Sequence, residues 1–432
     1  MASPASPAST ARPASPAVTH TSGARVIGSD AEAIDVATRL SAQLASTAAE
    51  RDLGRRHPDV ELAELAGSGL LGITVPRSHG GPGVSCRTLC TVIRLLASGD
   101  GSMGQIPQNH FFCLDAVREN GSAEQLGFFY GLVLRGVRFG NALVNARQPD
   151  GSAVATTIGP HPGGGYLVTG AKSYATGALS ADWVPVAATD SHERMHMAFI
   201  PRDAAGLVIV DDWDGFGQRT TASGSAILGR VHADAGWVIP LWQTQEYPNT
   251  FRAFTQLIHA AIDIGIAEGA LRAGADYLRR YVSGQPGARE PAREDPIVVH
   301  HYGELVVLVR SARALLEQAA DVVDDARAAL AGPGLPAEAA AGWEAEANVA
   351  MAAARAHADR VTVQATSEWL ELAGASAAQR PLGFDRYWRD VRTHTMHDPR
   401  RKRVHEVGNY SLNGVFPSRG WRQPAPKPAE GR

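Results

Sequence analysis

The chain of 432 residues has little of several features that define large classes of proteins. Its only cysteines are Cys86, Cys90 and Cys113, an odd number that does not suggest a disulfide framework and favours a reducing, cytoplasmic compartment. No run of roughly 18 apolar residues occurs, so we expect no membrane-spanning helix. The formal net charge of -3 gives no electrostatic reason to bind nucleic acid or an anionic membrane.

Two kinds of ligand site are also missing from the sequence. Cys86 and Cys90 have the i,i+4 spacing of one helix face, but no cluster of His or Cys completes a metal site. We therefore interpret them as small core residues and expect no metal. No strand-like run is followed by a Gly-rich phosphate loop, so the chain lacks the fingerprint of a nicotinamide-binding domain.

Both ends of the chain are predicted to be tails. Residues 1–25 are predicted to be disordered, because they are rich in Ala, Ser, Pro and Thr and cannot bury enough apolar surface. They show neither the basic start nor the apolar run of a secretory signal. Residues 419–432 are predicted to be a flexible tail.

Residues 26–137 have the pattern of an α-helical domain. Ser29 and Glu32 have the spacing of a capping box, and apolar residues recur every four positions as far as Ala48, which predicts a helix to about Asp52. Further helices are predicted at about 62–68, 87–98 and 110–136, with a short extended piece at 69–76.

Residues 138–243 have a different character, with many β-branched residues and glycine turns. Short runs at 166–170, 183–188, 197–200 and 207–210 predict strands. Strands at this spacing favour a compact β-sandwich or barrel over alternating βαβ units.

Residues 244–418 return to a helical pattern and predict a four-helix bundle. A wide apolar stripe from Leu305 to Ala326 predicts one long helix, and it would suit burial within one subunit or a contact between subunits. Gly332 to Gly334 ends this helix, and an Ala-rich helix is predicted at about 338–372. The fold class is therefore α+β: a helical domain, a β domain and a helical bundle.

The most informative segment of the sequence is 389–399, near the C-terminus. It places His394, His397 and Asp398 within five positions. The ordinary pKa of imidazole lies near neutrality, so a buried histidine here could direct proton transfer. On residue types alone, a solvated basic tail is the competing interpretation, because four basic residues follow at 400–403.

The order of these parts resembles the layout of the acyl-CoA dehydrogenase superfamily. Segments 170–183 and 214–224 are similar to its two flavin-contacting segments, Gly-x-Lys-x-x-Ile-(Thr/Ser) and Gly-x-Arg-x-(Thr/Ser). Within the superfamily, the chain resembles the sulfur-acquisition oxidoreductases, a branch similar to dibenzothiophene monooxygenase and other two-component flavin monooxygenases. That resemblance covers about residues 28–418, and these segments add to it: 104–112, 138–143, 392–399 and 407–414.

The resemblance implies roles for individual residues. Thr176 would hydrogen-bond the flavin near its N5, in a flavin-binding segment that includes Trp183. Asn141 and His397 would face the flavin hydroperoxide, and His110 would close the pocket, while His394 could exchange roles with His397. Taken singly, each residue also fits an ordinary structural role, such as a strand threonine or a packed core histidine.

The resemblance also implies a choice of flavin. Acyl-CoA dehydrogenases carry an Arg-x-x-Phe-Gly stretch that contacts the diphosphate and adenine side of FAD, and the corresponding segment here, 277–284, lacks the Phe-Gly. This departure favours FMN, with FAD as the alternative. Arg280 is the candidate for a bidentate contact with the terminal phosphate of FMN.

The function implied is that of a two-component FMNH2-dependent monooxygenase. A separate NAD(P)H:flavin reductase would supply the reduced flavin, O2 would form a C4a-hydroperoxide, and a small organosulfur compound would be oxygenated. One alternative is an FAD-dependent acyl-CoA dehydrogenase with Asp398 as its base. Another is a non-catalytic flavin- or acyl-thioester-binding protein. By the same resemblance we expect a homotetramer.

Overall fold

A computed structural model describes residues 23–148, 150–280 and 292–419. Nearly all of the two predicted tails, and residues 281–284 of the segment compared with the FAD contact, lie outside these ranges. Across the described ranges, no helix has the length and apolar character that crossing a membrane requires.

The N-terminal domain is helical, as predicted. Its helices are α1 (Asp30–Gly54), α2 (Asp59–Gly67), α3 (Cys86–Gly99), α4 (Gly101–Asn120) and α5 (Ala123–Leu134). The hydroxyl of Ser29 accepts the N–H of Glu32, which caps α1. The Glu32 carboxylate accepts the N–H of Gly28 rather than that of Ser29, so only half of the predicted capping box forms.

Two predictions for this domain are wrong. The piece predicted to be extended contains a 3-10 turn at Leu70–Gly72 whose residues are all buried. The helix predicted at 110–136 is two helices, because α4 begins at Gly101 and ends at Asn120. The carboxylate of Asp100 accepts the N–H groups of Ser102 and Met103, and this cap together with burial stabilises α4 in spite of Pro107 within it.

The central domain is one mixed sheet of eight strands. They are β1 (Val144–Asn145), β2 (Thr157–Pro160), β3 (Tyr166–Ser173), β4 (Trp183–Thr189), β5 (Met195–Pro201), β6 (Leu207–Val210), β7 (Ser225–Ala233) and β8 (Val238–Ile239). The order is β6-β7-β3-β2-β4-β5-β8, with β1 beside β3. Only the pair β2–β4 is parallel. The four predicted strands are confirmed, whereas β1, β2, β7 and β8 were not predicted.

The C-terminal domain is built on three long helices that pack against one another. The helices are α6 (Phe251–Arg280), α7 (Pro296–Leu330), α8 (Ala337–Ala373), α9 (Asp385–Thr395) and α10 (Arg400–Asn413). α10 packs on α8, and α9 lies against α6 and α8. The apolar stripe from Leu305 to Ala326 contributes to the core of the subunit, which decides between its two interpretations. Helices α7 and α8 are separated at the predicted glycines.

The two helical domains share a single hydrophobic core, because α6 packs directly on α3. The approach is close at two glycines of α6. A Cβ at Gly265 would lie 2.3 Å from the carbonyl oxygen of Arg94, and a Cβ at Gly269 would lie 2.4 Å from that of Ser98. Any larger side chain would push the helices apart, so these glycines fix the position of α6 against the N-terminal domain.

A buried arginine connects three helices of the N-terminal domain. The guanidinium of Arg51 on α1 donates to Asp100 before α4 at 2.8 Å, to Glu61 on α2 at 2.7 Å and to the carbonyl oxygen of Leu44 at 2.8 Å. Its side chain is fully buried. Removal of the guanidinium would leave the Asp100 carboxylate buried without its charge partner.

We predict that Arg51→Ala lowers the free energy of unfolding by about 3–5 kcal/mol, because an uncompensated buried charge remains. The control is Arg39→Ala, which removes an exposed ion pair with Asp35 on the same helix and should cost less than about 1 kcal/mol. Denaturant unfolding of both variants measures the difference. Equal losses in the two variants would contradict the assigned role of Arg51.

Candidate active site

Thr176 lies in a turn between β3 and β4, where three hydroxyl groups form a chain. Its Oγ1 is 2.7 Å from Oγ of Ser223, which is 2.7 Å from Oγ1 of Thr221. The hydroxyl of Thr221 donates to the carbonyl oxygen of Gln218 at 3.0 Å. All three side chains are buried. Thr176 is therefore held by the segment 218–223 rather than being an isolated strand threonine.

The backbone around this chain adopts uncommon conformations. Tyr174, Gln218 and Ala222 have φ angles of 57°, 48° and 47°, in the left-handed region that non-glycine residues rarely occupy. Such conformations cost energy and persist where the surrounding structure imposes them, often at functional sites. Tyr174 is also exposed, with its ring edge against Trp213.

Asn141 lies beside the Thr176 turn. Its neighbour Gly140 packs so closely that a Cβ there would be 2.7 Å from Cα of Ala178. The residue is 6% exposed, and its amide makes no side-chain hydrogen bond with the described residues. Such an amide retains its full capacity to bind a polar group of a ligand.

A small cavity of about 20 Å³ lies between the N-terminal helices and this turn. Its lining is mostly apolar: Leu62, Leu65, Leu71, Ile106, Pro107, Phe139, Gly177 and Ala181, with His110, Arg138 and Ser180 as polar members. Gly177 follows Thr176 directly, so the turn that carries Thr176 forms part of the cavity wall.

His110 lines this cavity, and both of its ring nitrogens are occupied. Nε2 is 3.0 Å from the carbonyl oxygen of Leu71, and Nδ1 accepts the N–H of Phe139 at 3.1 Å. Burial lowers the pKa of His110 to about 4, so the ring is neutral near pH 7. The histidine therefore presents its ring rather than a free nitrogen to the cavity.

A second cluster joins α6 to α9. Nδ1 of His394 is 2.6 Å from Oδ1 of Asp263, and Nε2 of His394 is 2.9 Å from Nδ1 of His259. The ring of His397 is 4.8 Å from that of His259. The structure thus brings both histidines of the C-terminal segment together with His259 and Asp263, and it excludes a solvated tail.

Burial determines the charge of this cluster. It lowers the pKa of His394 to about 3 and raises the pKa of Asp263 well above its ordinary value. His394 is therefore neutral near pH 7, and one hydrogen-bonded line joins Asp263 through His394 to His259.

His397 differs from His394 in its access to solvent. As a residue it is exposed, although the protein around it is dense. Desolvation by this surrounding protein, with the nearby His394 ring, lowers the pKa of His397 to about 3. A neutral, exposed imidazole can donate or accept a hydrogen bond.

Charged side chains of α8 and α10 complete this region. The fully buried Arg355 on α8 has its Nε 3.8 Å from the carboxylate of Asp359, and burial raises the pKa of Asp359 to about 7. Asp398 forms an ion pair with Arg403 on α10. The carboxylate that would act as base in a dehydrogenase is thus engaged by a buried guanidinium.

The segment 217–223 joins the two halves of the site. A Cβ at Gly217 would lie 2.0 Å from the carbonyl oxygen of Arg389 on α9. The N–H of Gln218 donates to Asp390 of the same helix at 2.5 Å. Thr176 and His397 are not in direct contact, but both are positioned by elements that pack on this segment.

The other two predicted cofactor residues lie elsewhere. The ring of Trp183 packs among Phe128, Phe129 and Trp237. The backbone carbonyl oxygen of Trp183 accepts the N–H of Gly140 at 2.9 Å. Arg280 is the last residue of α6, exposed, and its Nε donates to the carbonyl oxygen of Asp276 within the same helix. Neither contacts the other predicted site residues, and their roles stay predictions.

Two family models match the chain. One, described as the N-terminal domain of acyl-CoA dehydrogenase, matches residues 33–135, and the other, the C-terminal domain of acyl-CoA dehydrogenase, matches residues 257–399. The second match contains the His259, Asp263, His394 and His397 cluster.

Curated relatives and solved structures agree with these models. Dibenzothiophene monooxygenase of Rhodococcus qingshengii is 32% identical over 409 residues, which cover 91% of this chain and 96% of the relative. The probable FMNH2-dependent monooxygenase SfnC of Pseudomonas putida is 32% identical over 396 residues, covering 89% and 96%. The crystal structure of FMN-bound TdsC from Paenibacillus sp. A11-2 superposes with a TM-score of 0.82 at 32% identity, covering 90% of this chain and 99% of that one.

The chain therefore belongs to the acyl-CoA dehydrogenase family, and the predicted fold is confirmed. Within this family it belongs to the branch that contains dibenzothiophene monooxygenase, as the sequence resemblance indicated. It is a flavin-dependent monooxygenase, an oxidoreductase.

Sequence reasoning missed four residues of the site. His259 and Asp263 have i,i+4 spacing on a predicted helix, which places them on one face, and this pattern could have indicated a partner for His394. Thr221 and Ser223 lie in the quoted segment 214–224 without an assigned role. Only the fold shows that their hydroxyl groups reach Thr176.

We predict a pH-dependent effect of Asp390→Asn. Burial, with Asp52 nearby, raises the pKa of Asp390 to about 7. A raised carboxyl pKa contributes stability that is complete below the unfolded-state pKa and is lost as pH rises through the folded-state value. The asparagine keeps the acceptor for Gln218 and never ionises. Its melting temperature relative to wild type should therefore be higher at pH 8 than at pH 5, by roughly 2–4 °C. A difference that is the same at both pH values would contradict the assigned burial.

Proposed function

We propose that this chain is the oxygenase component of a two-component system that uses FMN, supplied as FMNH2 by a separate NAD(P)H:flavin reductase. Its substrate is proposed to be a small organosulfur compound. The single observation that carries the proposal is the pairing of the buried Thr176 hydroxyl chain and the unengaged Asn141 amide with an adjoining cavity. The names of the FMNH2-dependent relative and of the FMN-bound structure support the choice of flavin. The name dibenzothiophene monooxygenase supports the substrate class.

The polar groups of the site fit an isoalloxazine. Thr176 offers a hydroxyl for the ring nitrogen N5, and Asn141 offers an amide with both a donor and an acceptor. Both side chains are buried, and the turn that carries Thr176 lines a small cavity between the first helical domain and the sheet. Bound reduced flavin would supply the activation of O2, which no side chain of this protein can perform.

The protein contributes orientation, exclusion of water and control of protons. The apolar cavity walls keep bulk water from the reacting atoms. His397 is proposed to donate a hydrogen bond as a neutral imidazole, since its low pKa rules out a stable imidazolium near pH 7. Asp263, His394 and His259 form a hydrogen-bonded line that ends beside the His397 ring. These three residues would restore the proton that His397 shares with the reacting oxygen.

The apolar residues that line the small cavity are proposed to contact the body of the substrate. The leucines, Ile106 and Phe139 suit a small apolar group, and the ring of His110 forms part of the cavity wall. Sulfur is a soft nucleophile that accepts oxygen without prior proton removal. The site needs no carboxylate base for that reaction, in agreement with the ion pair between Asp398 and Arg403. The same ion pair argues against the acyl-CoA dehydrogenase alternative.

Trp183 and Arg280 remain proposed cofactor contacts. Trp183 would act through its backbone beside Gly140. Arg280 is exposed at the end of α6 and would have to meet the phosphate of FMN across a subunit contact, as expected for an assembly. We also propose a cytoplasmic location, because reduced flavin and NAD(P)H are supplied there and the three buried cysteines are free.

We propose that the chain forms a homotetramer through its C-terminal helices. Exposed apolar side chains on α7, at the end of α10 and just after it support this assembly: Ile297, Val307, Leu412 and Phe416. Light scattering should give about four times the mass of one chain. Val307→Asp should lower that mass, whereas Val208→Asp, at an exposed position of the sheet, should not. A wild-type monomer would contradict the proposal.

We predict that the purified protein oxidises no organosulfur compound alone but does so with FMN, NADH and a flavin reductase. His397→Ala should lower sulfoxide or sulfone formation by on the order of a hundredfold, the usual range for loss of one positioned donor. Hydrogen peroxide release should persist, because flavin and O2 still react. Product and peroxide are measured in the same reaction.

His405→Ala, at an exposed position of α10, is the control and should leave product formation unchanged. Full coupling of product to NADH in the His397 variant would remove this residue from the mechanism. Co-purified FAD that an acyl thioester reduces without oxygen would instead support a dehydrogenase.

A further inference from the structure

The hydroxyl chain behind Thr176 has a fixed direction. The carbonyl oxygen of Gln218 can only accept, so Thr221, 3.0 Å away, uses its single proton to donate to it. Oγ1 of Thr221 must then accept from Ser223 at 2.7 Å, and Ser223 in turn accepts from Thr176 at 2.7 Å. In this direction all three short contacts contain a proton.

The opposite direction satisfies fewer contacts. If Thr221 donated to Ser223 and Ser223 to Thr176, the contact between Thr221 and the Gln218 carbonyl would contain no proton. Two buried oxygens would then face each other at 3.0 Å, and the chain would lose one hydrogen bond, while the carbonyl oxygen kept the N–H groups of Trp213 and of Thr221 as donors. A buried contact that loses its hydrogen bond is disfavoured by about tenfold in population. The Thr176 proton therefore points inward, and the lone pairs of its hydroxyl point away from Ser223.

We propose that Ser223 and Thr221 are positioning residues that make Thr176 a hydrogen-bond acceptor, so that the chain binds FMNH2 in preference to FMN. This inference rests on the proposed function, in which Thr176 faces N5. Reduced flavin carries an N–H at N5 and donates to such an acceptor. Oxidised flavin has a lone pair there and gains no bond unless the whole chain reverses.

The expected preference is about one hydrogen bond, or roughly tenfold in dissociation constant. By linkage, the two-electron midpoint potential of bound FMN is then raised by about 30 mV relative to free FMN, which is the tenfold ratio converted for two electrons. The preference matches the task of a protein that receives reduced flavin from elsewhere. It would release oxidised flavin after turnover.

The test uses the full chain with Thr221→Val, and Thr221→Ser as its matched control. Valine has the shape of threonine but no hydroxyl, and the Gln218 carbonyl keeps the indole N–H of Trp213 at 2.9 Å as a donor. Without an acceptor at 221, Ser223 is free to donate to Thr176. The preference for FMNH2 should then fall about tenfold and disappear, whereas serine should preserve it.

Two measurements read this out without turnover. One is the dissociation constant for FMN and, anaerobically, for chemically reduced FMN. The other is the midpoint potential of the bound flavin. Melting temperatures of the two variants should agree with wild type. Thr176→Val should weaken binding of FMNH2 while affecting FMN little.

The outcomes separate the inference from the function. Equal FMNH2-to-FMN ratios in wild type, Thr221→Val and Thr221→Ser would overturn the orienting role and leave the monooxygenase intact. No change in either constant for Thr176→Val would show that this hydroxyl does not face the flavin. A wild-type chain that binds neither form of FMN would overturn the proposed function itself.

Discussion

The close packing of α6 against α3 is the contact on which the arrangement of the site depends. Gly265 and Gly269 lie where a side chain would meet the backbone of the first domain. One helix can therefore belong to both helical domains and to one continuous core. Because α6 also carries His259 and Asp263, its position decides where the histidines of α9 can lie. Packing at two small residues thus determines the geometry of polar groups on the same helix.

Burial controls the chemistry of those polar groups. Desolvation by the surrounding protein shifts the ionisable side chains in each half of the site: the pKa values of His394 and His397 fall to about 3, and that of Asp390 rises to about 7. A neutral site suits oxygen transfer to sulfur, because direction of hydrogen bonds matters there more than net charge. Dehydrogenation of a thioester would require a free carboxylate, and Asp398 is paired instead.

The fold was largely predictable from the sequence, whereas the contacts within the site were only partly so. Periodic apolar residues located the long helices, and clusters of β-branched residues located β3 to β6. The start of α4 was missed because proline and glycine argue against a helix locally, while burial and the Asp100 cap favour one. Strand β7 was missed as well. His110 and Asn141 were identified by resemblance alone, but a linear pattern does not show that both nitrogens of His110 are occupied. The links from His394 to α6 and from Thr176 to Ser223 depend on tertiary structure.

The positions of the sulfur-containing side chains bear on the protein's resistance to oxidation. Cys86, Cys90 and Cys113 are sealed inside the protein, at 2% exposure or less. Met396 is the opposite case: it directly precedes His397 and is 54% exposed. Thioethers are readily converted to sulfoxides by peroxide. Peroxide released during turnover would therefore oxidise Met396, next to His397, before it reached the buried cysteine thiols.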